Sequence, residues 1–489
     1  MKRGDIVTGT VGETTFPNHG SIRVEDTKIR VKGVLPGQEV EVAIKRSSKE
    51  KAEGILRNII TPSPLETAGP ACPQFGICGS CTLQRLPYEE QLKLKESHIR
   101  KLLSPVIRNA DECMWLPIAG SPSSYEYRNK MEFTFGDEYR DGPLTLGQHK
   151  KGSTYDLVNA ECCCLIDEDV RMIVRETLRY ATEAGLPFYH KMRREGYLRH
   201  LLIRKAKITG EILVDIVTTT SQGHDWSDWT ARIAALPFRG QLKGVLHTVN
   251  DAVADTIINE GTSVLYGQDS ITEKLLGLNF KISAFSFFQT NSEGAEVLYG
   301  VVRDRVLEVT GGKDGAAEEA ARRGVIFDLY SGTGTIGQLL APVARKVVGI
   351  EIVEEAVVAA RANAELNGLA NCEFIAGDVL KKLDEVAERP DFIVLDPPRE
   401  GVNPKALAKI LAYGVDHMVY ISCKPTSLAN DLGAIQDAGY RVVSVQPVDM
   451  FPQTPHVETV VLLCRKAEQA DRHIVVNYEP QGKHMDKTN

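Results

Sequence analysis

No apolar run in this chain of 489 residues reaches the length of roughly 18 that a membrane-spanning helix needs. Its first residues, MKRGDIVTGT, lack the apolar stretch of a secretory leader, so a cytoplasmic protein with no membrane segment is expected. Excess positive charge is missing too. Lys and Arg number 58 against 65 Asp and Glu, and a formal net charge of −7 excludes indiscriminate binding of nucleic acid over the whole surface. Nor is there the compact framework of a small secreted disulfide scaffold, because ten cysteines are spread over a long chain. They stand as Cys72, Cys78 and Cys81, as Cys162, Cys163 and Cys164, and singly at 113, 372, 423 and 464. Such clusters point to metal ligation or catalysis rather than to disulfides.

By length, what is present divides into about three domains. Residues 1–60 carry five short Val- and Ile-rich runs separated by turn formers such as Pro36-Gly37, the pattern of a small OB-like β-barrel. A Pro-rich joint, TPSPLETAGPACP, leads through the first cysteines to YEEQLKLKESHIRKLL (88–103), which has helical spacing. Mixed helix and strand signals then fill a central α+β region, 61–280. Within it, residues 190–207 hold Lys or Arg at 191, 193, 194, 199, 204, 205 and 207 against one Glu. That stretch is either a solvated face or a set of phosphate contacts. A hydrophilic connector is predicted over 311–324, inside a third region, 281–466. There apolar strands (VIFDLY, KVVGIEI, CEFIAGD, FIVLDPP, HMVYISC) alternate with helices, which predicts a parallel α/β sheet covered on both faces. Residues 467–489 carry no assignable pattern.

In FDLYSGTGTIG, Gly332, Gly334 and Gly337 lie between a strand and a helix, so a ligand can approach the backbone and the helix amino terminus. Glu351 ends the next strand, where a carboxylate can bind ribose hydroxyls, and Asp378 ends the one after. NAD is one candidate ligand. Asp328 and the Asp396-Pro397-Pro398 loop favour S-adenosylmethionine.

Cys423 falls at the carboxyl end of the strand after that loop. A lone cysteine closing an apolar run is more often packing, but this edge is where open α/β sheets do chemistry. A thiol beside a methyl donor suits a substrate carbon that is not itself nucleophilic, such as C5 of uracil. Addition of the thiolate to C6 activates C5, and a base then removes the C5 proton. PVDMFPQTPHVETV offers Glu458 and His456 equally for that base. The spacing Cys72-x5-Cys78-x2-Cys81 gives three thiolates; iron–sulfur, zinc and no metal all remain open for it.

At these residues the chain resembles the S-adenosylmethionine-dependent RNA uracil-5-methyltransferase family, and in particular its 23S ribosomal-RNA branch. One signature is Asp396-Pro397-Pro398-Arg399-x-Gly401 followed, after sixteen residues, by Met418-Val419-Tyr420-x-Ser422-Cys423. The other is Asp449-x-Phe451-Pro452-Gln453-Thr454-x-His456-x-Glu458. The resemblance implies a Rossmann-like class I methyltransferase domain with Cys423 as nucleophile and Glu458 as base. It places Gln289, Tyr330, Gly332, Gly334, Glu351, Asp378 and Asp396 around the donor. It makes the amino-terminal barrel similar to a TRAM domain; the Cys-x3-Cys-x2-Cys of TRAM-bearing radical methylthiotransferases is absent. It also implies a [4Fe-4S] cluster on Cys72, Cys78, Cys81 and Cys163, with Cys162 and Cys164 as rivals for the fourth position. Ribosomal RNA is the implied partner of a monomeric enzyme. One departure is Lys424, where the family usually has Asn; a cation there either lowers the thiol pKa or alters substrate contacts.

Overall fold

The computed structural model describes residues 1–48, 51–254, 256–310 and 324–465. The connector predicted over 311–324, apart from Gly324, and the tail 467–489 lie outside the described residues.

The first five strands form one curled sheet in the order Ile6–Thr10, Glu39–Ser47, Lys51–Thr61, Thr27–Lys32, His19–Val24. Alternate residues turn inward, so Ile22, Ile29, Val31, Val40, Val42 and Ile44 pack a small core of their own. The sheet's two outer strands meet where the Gly12 N–H donates to the Ser21 carbonyl at 3.1 Å, which closes the curl. One buried hydrogen bond, Thr14 Oγ1 to His98 Nε2 at 2.8 Å, ties this unit to the helix Tyr88–Leu103.

The central unit is a seven-stranded sheet in the order Thr262–Gly267, Gln241–Val249, Glu211–Thr218, Leu198–Lys205, Lys130–Asp137, Leu144–His149, Leu157–Asn159. The basic stretch 190–207 runs into its middle strand, and only part of it faces solvent. Arg199 and Arg204 are buried, and their guanidinium groups donate to carbonyls of residues 250, 252 and 254 and of residues 284 and 286, respectively. Lys205 pairs with Asp167 and Asp169, and Lys207 with Glu293. Lys191, Arg193 and Arg194, in the turn before the strand, keep partial or full exposure. Seven cations in a row are thus mostly structural donors, because a strand alternates its faces and both faces here are covered.

The third unit is an eight-stranded sheet in the order Cys372–Ala376, Lys346–Glu351, Val325–Leu329, Phe392–Leu395, His417–Ser422, Glu458–Arg465, Tyr440–Val448, Met114–Trp115. Its first five strands are parallel and match the predicted runs. The antiparallel strand Glu458–Arg465 folds back beside His417–Ser422. This unit draws in residues from both sides of position 281. The hairpin Ser270–Leu275 and Leu278–Ser283 buries Ile271, Phe280 and Ile282 in the same core as Ile326, Val394 and Leu462. Helix Tyr88–Leu103 lies over the opposite face, with Ile99 and Leu103 packed among Val325, Phe327 and Leu395, each burial contributing about 1.5–3 kcal/mol. The same helix also buries Gln91, Lys95 and His98, a polar stripe at i, i+4 and i+7 on its covered side. No helix among the described residues is long and apolar enough to cross a membrane.

Candidate active site

Parallel strands deliver their carboxyl ends to one edge, and the sequence-predicted residues gather there. Asp328 sits within Val325–Leu329, and its Oδ2 accepts the Gly337 N–H at 2.8 Å. A Cβ on Gly337 would stand 2.9 Å from that oxygen, so the close approach requires glycine. Gly332 and Gly334 take left-handed φ of 54° and 71°, as does Tyr330 at 66°. Glu351 ends its strand and accepts N–H groups from Gly332 and Val353, both at 3.0 Å. Asp378 caps the short helix Val379–Lys382, two residues past its strand. Asp328 Oδ1, Ser331 Oγ and Asp378 Oδ1 are buried without a hydrogen-bond partner among the described residues. Such orphaned acceptors suit a polar ligand with hydroxyl and amino groups, as the ribose and adenine of S-adenosylmethionine are. Half-buried Gln289 hydrogen-bonds Tyr299, a buried residue on the helix Ser292–Thr310 that also faces Asp396, Glu458 and Asp328.

The nucleophile and base candidates meet through strand register. Ser422 pairs with Thr459 across the antiparallel ladder, so the next positions, Cys423 and Glu458, are neighbours. Asp396, at the end of the adjacent parallel strand, completes the group. Burial, then Asp396, push the Glu458 carboxyl up to about 8, against the opposing cation Arg399. Burial and the Asp328 charge push Asp396 up to about 7. Burial, then Glu458 and Asp396, push the Cys423 thiol up to about 11; Arg399 opposes them. Of the two readings of Lys424, acidification of the thiol finds no support here, since desolvation and two carboxyl groups outweigh the cation Arg399, and altered substrate contacts stay open. Of the two bases left open by the sequence, Glu458 is buried beside Cys423, whereas His456 is exposed, edge-on to the Phe451 ring.

The loop that leads into Glu458, residues 449–457, has short bonds of its own, such as Thr454 Oγ1 to the Phe451 carbonyl at 2.8 Å, and is otherwise held from outside its own sheet. Asp449 Oδ1 accepts from Lys95 Nζ at 2.6 Å, with both side chains essentially buried. Lys95 Nζ also donates to the Phe451 carbonyl at 3.1 Å. Gln453, at a left-handed φ of 69°, exchanges two hydrogen bonds of 2.9 Å with Gln91. The Gln453 carbonyl accepts N–H groups from Thr82 and Leu83 at 2.9 and 3.1 Å. Tyr127 donates to the Pro452 carbonyl at 3.0 Å, and Asn291 to that of Met450 at 3.0 Å. Sequence reading missed Tyr299, Gln91 and Lys95. The polar stripe of a helix that is otherwise amphipathic was the available signal for the last two.

Far along the chain, Cys72, Cys78, Cys81, Cys163 and Cys164 line one cavity; Cys162 is exposed and does not. The segment 72–81 docks on the central sheet through the Gly79 N–H to the His149 carbonyl at 3.0 Å. Cys72 shares a hydrogen bond with Cys164 that holds the Cys72 thiol down at about 6 and raises Cys164. Burial, then the neighbouring thiols, push Cys81 up to about 12. Gln84 bridges the same pair, accepting the Cys72 N–H at 3.0 Å and donating to Cys164 Sγ at 3.3 Å. Among the described residues no three Cys, His, Asp or Glu side chains converge as a ready metal site. As a donor set the thiols that line the cavity are soft enough for an iron–sulfur cluster.

Residues 314–466 match the tRNA (uracil-5-)-methyltransferase family. A Clostridium tetani RNA methyltransferase is 47% identical over 466 residues, 95% of this chain and 99% of its own length. One from Caldanaerobacter subterraneus subsp. tengcongensis is 49% identical over 463 residues, with the same 95% and 99% coverage. Among solved structures, a Pyrococcus abyssi tRNA (uracil-54, C5)-methyltransferase in complex with S-adenosyl-L-homocysteine superposes with a TM-score of 0.70. It is 25% identical, and the match covers 94% of this chain and all of that one. With the class I fold, the donor edge and full-length relatives in agreement, the chain belongs to the S-adenosylmethionine-dependent RNA uracil-5-methyltransferase family.

Proposed function

We propose that this enzyme methylates C5 of a uridine in 23S ribosomal RNA, with Cys423 as nucleophile and Glu458 as base. The observation that carries the reading is the register adjacency of Cys423 and Glu458 beside Asp396, at the edge that holds the donor loop. Bound there, S-adenosylmethionine supplies an electrophilic methyl group. The Cys423 thiolate adds to C6 of the uracil, and the displaced π electrons make C5 the nucleophile that takes the methyl, the S–CH3 bond breaking with its electron pair left on sulfur as S-adenosylhomocysteine. Glu458 then removes the C5 proton. The C5–H electron pair restores the C5=C6 bond, the C6–S bond breaks, and Cys423 leaves as thiolate. Asp396 faces both groups and orients the uracil. The base has to leave its stack to reach Cys423, so the target is an unpaired or flipped nucleotide.

Gln289, Tyr330, Gly332, Gly334, Glu351 and Asp378 hold the donor. The barrel over residues 1–60 acts as a TRAM-like RNA-binding unit, and the 61–280 region carries a [4Fe-4S] cluster on Cys72, Cys78, Cys81 and Cys163. Such a cluster supplies a cross-link between the segments 72–81 and 160–165, and no step of the reaction needs its redox chemistry. The enzyme works as a monomer in the cytoplasm.

Transfer RNA is the second reading, favoured by the likeness to the Pyrococcus abyssi tRNA enzyme. Labelled methyl transfer to unmodified ribosomal and transfer RNA, followed by nucleoside analysis, separates the two. Label in 5-methyluridine from ribosomal RNA, absent with Cys423→Ala, is expected. Label in 5-methyluridine from transfer RNA alone overturns the substrate, and label on a nitrogen overturns the chemistry.

A further inference from the structure

We propose that Gln91 and Lys95, on a helix outside the methyltransferase domain's own chain segment, are positioning residues that set the base Glu458 against the substrate and so control release of the covalent adduct. The proposal rests on the Cys423 and Glu458 roles above, and its test is arranged to separate the two.

Cys423 and Glu458 reach the site by different routes. Cys423 follows a central strand bonded on both sides, to Phe392–Leu395 and to Glu458–Arg465. Glu458 is the first residue of a strand that is also bonded on both sides, where it pairs with Val448, and the nine residues that join these two, 449–457, belong to no helix or strand. Local bonds shape part of that loop, with the Phe451 N–H donating to Asp449 and Thr454 donating to the Phe451 carbonyl, and its other fixed points are polar and come from afar. Lys95 neutralises Asp449 at the loop's start and holds the Phe451 carbonyl. Gln91 satisfies both the backbone N–H and the side-chain carbonyl of Gln453. Gln453 is held in a left-handed conformation that a non-glycine residue adopts only when its surroundings fix it. Gln91 and Lys95 stand at i and i+4, so one helical face grips the first half of the loop, at 449, 451 and 453.

Neither side chain touches the cysteine thiol or the donor loop. Loosening this grip therefore displaces the base while leaving nucleophilic attack and methyl transfer intact. The consequence is specific: the enzyme still forms the Cys423–C6 bond and methylates C5, then stalls before proton abstraction. A misplacement of about 1 Å costs on the order of 10²-fold in rate.

The full-length enzyme is incubated with substrate RNA and labelled donor. The denaturant-stable enzyme–RNA adduct is then quantified alongside kcat and donor KM. Gln91→Ala is expected to lower kcat at least tenfold, leave donor KM within twofold, and accumulate methylated adduct. Lys95→Met risks misfolding by stranding Asp449, so Gln91→Glu is the second variant; it keeps the acceptor for the Gln453 N–H and is expected to restore much of kcat. Glu458→Ala is the control and is expected to trap adduct with no turnover. If Glu458→Ala traps adduct while both Gln91 variants turn over like wild type without adduct, the positioning role is overturned and the base assignment stands. If Glu458→Ala gives no adduct, the base assignment fails and the proposal falls with it. Loss of adduct and turnover together in folded Gln91→Ala, judged by unchanged donor binding in calorimetry, also overturns it, since the attack step would then depend on Gln91.

Discussion

On the donor side of the sheet edge, the hydrogen bonds that shape the site close locally: Gly332 to Glu351 spans 19 residues and Gly337 to Asp328 spans 9. On the base side short bonds such as Phe451 to Asp449 are joined by ones that span most of the chain, 354 residues from Lys95 to Asp449 and 362 from Gln91 to Gln453. The donor side is a strand–turn–helix unit that carries its own geometry. The base side is a loop whose shape is lent by a helix that folds onto it. A site of this kind can lose its base without losing its donor pocket, and the variants below are chosen to pull the two sides apart.

Removing the nucleophile has the largest expected effect. Cys423→Ala is expected to lower methyl transfer by about 10³-fold or more while donor affinity, measured by calorimetry, stays near wild type. Next comes Lys95→Met, which strands the buried Asp449 carboxylate; a loss of about 3 kcal/mol in stability is expected, read as a lower unfolding midpoint. Removing the proposed cluster with an iron chelator is expected to weaken RNA binding and lower the unfolding midpoint, because segment 72–81 leads into Thr82 and Leu83, which bond the base loop. Unchanged fold and RNA affinity after iron removal would exclude that role. Glu351→Ala acts on the donor side alone, with donor KM rising about tenfold, some 1.4 kcal/mol, and kcat little changed.

The smallest effect is a pH slope. Asp328, Asp396 and Glu458 have folded-state pKa values raised to about 7, 7 and 8, mainly by burial. Each binds its proton more tightly folded than unfolded, so its contribution to stability is full below the unfolded value near 4 and is lost as pH rises through 7 to 8. The donor-free enzyme is therefore expected to lose stability over that window, and Asp396→Asn to recover on the order of 1 kcal/mol at pH 8. Turnover has the opposite dependence. Glu458 must be ionised to accept the C5 proton, so kcat is expected to rise through about pH 8.

The contrast between the two sides also explains what could be read from sequence. The five parallel strands, the glycine turn, Glu351 and the helix 88–103 were legible, because period and turn chemistry act over a few residues. The basic run 190–207 misled, since charge alone does not reveal that Arg199 and Arg204 lie inside a covered strand. For Lys424, adjacency in sequence said nothing of the burial of Cys423, nor of Glu458 and Asp396, which reach it from other strands and together with burial raise its thiol. The hold of Gln91 and Lys95 on the base loop depends on contacts more than 350 residues apart, which no local pattern encodes. Tyr299 gave no signal at all, being one aromatic residue in a helix whose position in the site is fixed by tertiary contacts.

The covalent step is the centre of the reading, and substrate RNA carrying 5-fluorouridine tests it most directly. Fluorine at C5 cannot be taken as a proton, so the reaction stops with the enzyme still attached to C6. A donor-dependent, denaturant-stable adduct mapped by mass spectrometry to the peptide containing Cys423 is expected. Methylation of ordinary RNA with no adduct on the fluorinated one, or an adduct on any other residue, would contradict it.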